Sequence, residues 1–369
     1  MSRLALVRDP RFLNHITPDA HPESPQRMAA IDSAFLKAAL DNSVRQLEPR
    51  SADEAEIALV HKESYIEELH EDAERARNNN SLVQLDADTF MSASTYDIAK
   101  LAAGAGLTAI DAIKSKEHDS VFVSVRPPGH HALIDKPMGF CLFNNIAVSA
   151  RYAQKCGYKK IFIIDWDVHH GNGTQWAFYD DPSVFFVSFQ QYPFWPYDSG
   201  WYLEDGSGEG RGYNMNIPLP KGTGDRGYLH AFDRLVVPVC QSFQPDLIMI
   251  SAGYDAHKDD PLGQQMITTS GYAMLSQRVR DLSQAVGAPA VVFLEGGYNT
   301  RSLSDSAIAT MKVLNANNES ESGAVHASYL MPFAAGNASH VTGDRNSDLV
   351  DDRVVEVRQH FAKYWPVLR

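Results

Sequence analysis

The chain has 369 residues, 44% of them hydrophobic and 21% charged, enough apolar material for a large core, which excludes wholesale disorder. Lysine and arginine number 33 against 46 aspartates and glutamates, a formal net charge of −13; with no basic run to follow a phosphate backbone, direct nucleic-acid binding is not expected. Three widely spaced cysteines, Cys141, Cys156 and Cys240, suit neither a disulfide framework nor a Cys-based zinc site and fit a reducing, cytoplasmic setting, and no stretch approaches the roughly 18 apolar residues of a membrane helix.

In chain order, a strand is expected at 4–7, a helix near 26–40 and a helix over about 53–77, whose acidic run YIEELHEDAERAR reads as a solvated face. The short apolar start before Arg8 and Asp9 offers no export signal or anchor. A helix at 97–114 leads into the run VFVSV (121–125), and a second at 144–156 precedes KIFIID (160–165) and VFFVSF (184–189). A helix at 226–243 then precedes DLIMISAG (246–253), and one at 271–286 precedes PAVVFLEGG (289–297). Continuous apolar runs mark strands covered on both faces, and their alternation with helices predicts an α/β fold: an open, mostly parallel sheet flanked by helices. From 315 the segment NANNESESG reads as a loop, and 350–364 as a closing helix. Without a Pro-, Gly- or Ser-rich linker the chain reads as one domain over 1–369; a homo-oligomer stays open.

Polar or glycine-rich residues follow four of the strands at once: RPPGHH, DWDVHHGNG, AGYDAHKDD and EGGYN. In open parallel sheets the ligand crevice lies outside the carboxyl ends of the strands, so these segments should converge. Asp165, Asp167 and His169 are two apart and share a side if strand geometry persists. Buried anions so placed need a cation, and carboxylates with an imidazole suit Zn²⁺ or Fe²⁺ better than Mg²⁺. A catalytic zinc takes three protein ligands and keeps a position for water, and Asp255 is the best third ligand. His130 and His131, after a stiff Pro-Pro-Gly turn, supply groups that titrate near neutrality for proton transfer. Tyr298, after two glycines, can donate to an oxyanion.

RPPGHH (126–131), GFCLFNN (139–145), IDWDVHHGNGTQ (164–175), SAGYDAHKDDPLG (251–263) and LEGGYN (294–299) resemble the arginase/deacetylase superfamily, and more narrowly the class II histone deacetylases and bacterial histone-deacetylase-like amidohydrolases. The resemblance runs from HPESPQR (21–27) to EGGYN. It implies a zinc-dependent hydrolase of acylated lysine side chains or similar acylated amines, with one Zn²⁺ on Asp167, His169 and Asp255. His130 and His131 would be the tandem histidines, oriented by Asp165 and Asn172. An uncharged Asn172, where class I relatives have an Asp, favours a neutral His131. A potassium site would draw on Asp165, the backbone of Asp167 and His169, Ser188 and Phe189. Gly139, Phe140 and Trp195 would wall the substrate channel, Leu262 its rim and Asp88 its mouth, and Arg27 an internal cavity.

The alternative is an acetylpolyamine amidohydrolase, against which the apolar Leu262 argues, because the eukaryotic polyamine enzyme carries a rim Glu there. An arginase-type ureohydrolase would need a carboxylate two residues after His169, where Gly171 stands. A scaffold that binds acylated partners without hydrolysing them does not require Tyr298 and both histidines.

Overall fold

The structure, a computed structural model, describes residues 4–316 and 346–369. It opens with β1 (Leu4–Val7), α1 (Pro25–Lys37) and β2 (Arg45–Leu47), then α2 (Glu54–Ile57), α3 (Glu63–Asn79) and a small hairpin, β3 (Val83–Gln84) with β4 (Phe90–Met91). There follow α4 (Thr95–Lys114), β5 (Ser120–Val123), α5 (Asn145–Lys155), β6 (Ile161–Asp165), α6 (Asn172–Phe178), β7 (Val184–Gln191) and β8 (Asn214–Leu219). The remainder comprises α7 (Asp225–Ala231), α8 (Val237–Phe243), β9 (Leu247–Ala252), α9 (Thr269–Val286), β10 (Ala290–Leu294), α10 (Thr300–Asn315) and α11 (Ser347–Phe361).

Eight strands form one sheet in the order β2-β1-β5-β10-β9-β6-β7-β8, and every pairing in it is parallel. The apolar runs account for this: β5, β6, β7, β9 and β10 are buried along their whole length, as strands must be when helices cover both faces. α1, α9 and α10 pack together as one group of flanking helices and α4 with α5 as another. Local signals fix the helix ends: Asn144 accepts the Ala147 N–H and Asn299 those of Arg301 and Ser302, while Gly287 closes α9 in the left-handed conformation. No helix among the described residues is long and apolar enough to cross a membrane.

Several boundaries differ from expectation. The acidic helix over 53–77 is two helices, because the chain turns at 58–62 and α3 restarts after Lys62. The segment 226–243 is interrupted between α7 and α8 by a π-helical turn, Phe232–Val236. The closing helix starts three residues early, at Ser347, and stops at Phe361. Asn315 belongs to α10, and NANNESESG from 317 onward lies outside the described residues.

Candidate active site

β5, β10, β9 and β6 are neighbours at the centre of the sheet, so the loops at their carboxyl ends meet. β6 ends at Asp165, and strand geometry does not persist beyond it. The chain instead coils back on itself: Asp167 N–H donates to Asp165 Oδ1 (3.1 Å) and His169 N–H to Asp167 Oδ1 (2.9 Å). This corrects the expectation of one shared side. Asp167 and His169 face Asp255, whereas Asp165 turns toward His130.

One ligand atom each from Asp167, His169 and Asp255 lies within 4.8 Å of the others. His169 Nδ1 stands 3.1 Å from both Asp167 Oδ1 and Asp255 Oδ2. The carboxylates are fully buried and pinned by backbone: Asp255 Oδ1 accepts the Val168 N–H (2.9 Å) and Asp167 Oδ2 the Gly296 N–H (2.9 Å). Burial and the adjacent Asp167 charge push the Asp255 carboxyl up to about 7. Gly253 and Gly296 leave the room; a β-carbon at either would strike the Asp167 carboxylate, and at Gly296 the Asp255 carboxylate too. Two anions and an imidazole converging in a glycine-lined recess fit a small divalent cation.

The tandem histidines sit beside this recess, ring centroids 3.9 Å apart. His130 Nδ1 is 2.8 Å from Asp165 Oδ2 and His131 Nδ1 2.8 Å from Asn172 Oδ1, the two pairings expected. Burial alone would lower the His130 pKa, but the Asp165 and Asp167 carboxylates outweigh it and hold it at about 10. Burial, with the positive His130 and His169 rings, lowers His131 well below the ordinary imidazole value. The sequence did not single out Glu295, although it lies within LEGGYN. Its buried Oε2 accepts the N–H groups of Gly129 (2.7 Å) and His130 (3.2 Å), fixing the turn that presents both imidazoles.

His131, His169 and Tyr298 form part of the wall of one cavity of about 450 Å³, which Gly139, Phe140, Trp195, Leu262 and Asp88 also line. Every channel residue expected from the sequence is therefore in one place. Gly139 has φ of +56°, and a β-carbon there would lie 2.6 Å from Trp195 Cη2 and 2.7 Å from His131 Cδ2, so only glycine lets these rings close on the channel. The Phe140 and Tyr298 rings meet edge to face at 5.7 Å. His21, Phe194 and Tyr197 line the same cavity and were not foreseen. Asp88 is raised to about 6 by partial burial and by Asp86.

Ser188 is paired in register with Asp165, and its buried Oγ has no hydrogen-bond partner among the described residues; Phe189 follows it on β7. Arg27 is fully buried. It donates to the carbonyls of Gly297 (2.6 Å) and Glu295 and lies 5.1 Å over the Tyr298 ring, so its guanidinium packs directly behind the tyrosine.

A model of the histone deacetylase domain matches residues 21–314. Over 329 residues the chain is 41% identical to Histone deacetylase 10, chloroplastic, of Oryza sativa subsp. japonica, covering 83% of this chain and 74% of that one. It is 37% identical over 297 residues to a probable deacetylase of Archaeoglobus fulgidus, covering 80% and 81%. The crystal structure of the HDA15 HD domain matches with a TM-score of 0.86 at 34% identity, over 100% of this chain and 97% of that one. With the domain match across most of its length and these relatives, the chain belongs to the histone deacetylase family.

Proposed function

We propose that this chain is a zinc-dependent deacylase that hydrolyses the amide of acylated lysine side chains, through one deacetylase domain. The supporting observation is that Asp167, His169 and Asp255 share a recess with the tandem histidines and Tyr298 at one end of an aromatic-walled cavity. Those three residues would hold one zinc ion, which when bound polarises an amide carbonyl and makes water a better nucleophile near neutral pH. The remaining work falls to the chain. His131, neutral and with its Nδ1 proton directed at Asn172, takes a proton from the attacking water at Nε2 and returns it to the leaving amine. The positive His130 favours the negative charge that develops, and the Tyr298 hydroxyl donates to the oxyanion. Gly139, Phe140 and Trp195 hold the alkyl chain, Leu262 meets it at the rim, and Asp88 accepts from the substrate backbone at the mouth. A potassium ion held by Asp165, the backbone of Asp167 and His169, Ser188 and Phe189 is the structural partner, a reading supported by the unsatisfied Ser188 Oγ. The free Cys141, Cys156 and Cys240 support a reducing, cytoplasmic setting.

Metal analysis combined with turnover of a fluorogenic acetyl-lysine peptide tests the reading. One equivalent of zinc and measurable hydrolysis are expected, both lost in Asp255→Ala. Full activity in the metal-stripped protein, or undiminished zinc in the variant, would overturn it.

A further inference from the structure

His21 bridges two distant turns. Its Nδ1 lies 2.9 Å from the Glu23 carbonyl oxygen and its Nε2 3.0 Å from the Asp88 carbonyl oxygen, 67 residues away. A carbonyl oxygen only accepts, whereas a neutral imidazole carries one N–H and one lone pair. The two bonds therefore coexist only while both ring nitrogens carry protons. We infer that His21 in this doubly protonated form is a positioning residue that holds Asp88 at the cavity mouth and makes capture of a peptide substrate dependent on pH. The inference rests on the reading of Asp88 as the anchor for substrate backbone.

The rest of the geometry shows why the tie matters. The turn that carries Asp88 is shaped internally by Asp86, whose Oδ1 accepts the N–H groups of Asp88 (2.9 Å) and Thr89 (2.7 Å). Thr89 Oγ1 in turn accepts the Phe140 N–H (3.0 Å), fastening one end of the turn to the channel wall. The opposite side is fastened through His21, whose ring stands edge to face with Phe90 (5.6 Å) and Phe140 (4.9 Å). Loss of one proton would set a nitrogen lone pair against a carbonyl oxygen, which replaces attraction by repulsion and frees the Asp88 peptide to swing.

Among the described residues, the titratable groups that face His21 are Asp88, itself beside Asp86, on the facing turn and His15 on its own side, with Glu23 held through its carbonyl. The Glu23 carboxylate is already taken: Arg126 reaches it through Nε (2.5 Å) and Nη2 (2.7 Å), Arg27 through Nη1 (3.1 Å), and His15 lies 3.4 Å away. That leaves its carbonyl for His21. Phe90 and Phe140 carry no charge, so Asp88 is the anion that the His21 ring serves directly. An ionised Asp88 accepts from a substrate more strongly than a protonated one, so capture weakens on the acid side through Asp88 and on the alkaline side through His21.

The zinc-loaded enzyme labelled with ¹⁵N-histidine provides the test, with the His21→Asn variant identifying the His21 signals. Both His21 nitrogens should read as protonated where KM for an acetyl-lysine peptide is lowest. As pH rises, one should lose its proton while KM increases about tenfold, the size of one charge-assisted hydrogen bond. kcat should not follow that step. In His21→Asn, KM should stand at the raised value throughout with the alkaline step gone; in Asp88→Asn, KM should be raised with the His21 signals retained. A ring with a single proton at the KM minimum, an alkaline rise that survives in His21→Asn, or an unchanged KM in Asp88→Asn would overturn the inference. Complete absence of turnover would remove the proposed function instead, and the nitrogen signals alone would then uphold or overturn the tie.

Discussion

Replacing Gly296 by alanine probes the metal recess through a residue that is not itself a ligand. The added β-carbon falls 2.5 Å from Asp167 Oδ2 and still nearer Asp255 Oδ2, whereas carbon and oxygen sit in comfortable contact at about 3.3 Å. At least one carboxylate must retreat by about 1 Å, while metal–ligand distances tolerate only about 0.2 Å. The side chains are short, fully buried and bonded to the Val168 and Gly296 amides, so neither can rotate away without losing a backbone partner. Disturbing groups that merely orient ligands costs about 10- to 100-fold in metal affinity. Displacing a ligand should reach the upper end, about 3 kcal/mol. Gly253→Ala should behave alike, because its β-carbon meets the same Asp167 carboxylate from the end of β9. Competition against a chromophoric zinc chelator measures the loss, and circular dichroism checks the fold. A folded Gly296→Ala protein with wild-type zinc affinity would refute the assignment of this recess as the metal site.

Tyr298→Phe should retain zinc and fold but slow kcat by about 10²- to 10³-fold; a wild-type rate would reduce the tyrosine to a packing partner of Phe140. Leu262→Glu, which adds an anion at the rim, should move the ratio of kcat/KM values from acetyl-lysine peptide toward acetylated polyamine, and an unmoved ratio in a direct competition assay would contradict the placement of Leu262. His61 makes stability depend on pH: burial lowers its pKa from 6.5 to about 4, while its Nδ1 donates to the Leu133 carbonyl and its Nε2 accepts the Asn144 N–H. The unfolded chain then binds the extra proton between those values, so stability is full above about pH 6.5 and falls by up to about 3 kcal/mol on acidification toward 4. Urea unfolding of wild type and His61→Gln should give a stability gap that shrinks as pH drops through this window, and a constant gap would be the contrary result.

Much of the sheet was legible because burial on both faces leaves a continuous apolar run, as in β6 and β9. β8 was not: NMNIPL carries Asn214 and Asn216, whose amides bond to Gln175 at 2.8 Å each, and Pro218, and residue types depleted in strands make the segment read as a loop. The serine-rich start of α10 hid its apolar face in the same way. In the site, the strand-end rule located Asp167, His169, Asp255 and both histidines, since position after a buried strand is a local property. It could not tell that Asp165, Asp167 and His169 would not share one side, which depends on where β6 stops. His21 and Glu23 were missed because what gives them meaning lies far away in sequence: Asp88 is 67 residues from His21, and Arg126 is 103 from Glu23.

The strand order carries a consequence for how the chain acquires its site. The recess is sealed by contacts of long sequence separation, 87 residues from Val168 to Asp255, because β9 pairs with β6, and 129 from Asp167 to Gly296, because β10 lies beside β9. Closing such loops costs chain entropy before any contact rewards it. A chain growing from its N-terminus thus holds Asp167 and His169 ready long before the backbone amide and the glycine floor that complete their cage exist. No contiguous fragment that ends before β10 can build the complete cage, so zinc uptake during refolding should report arrival of the last central strand.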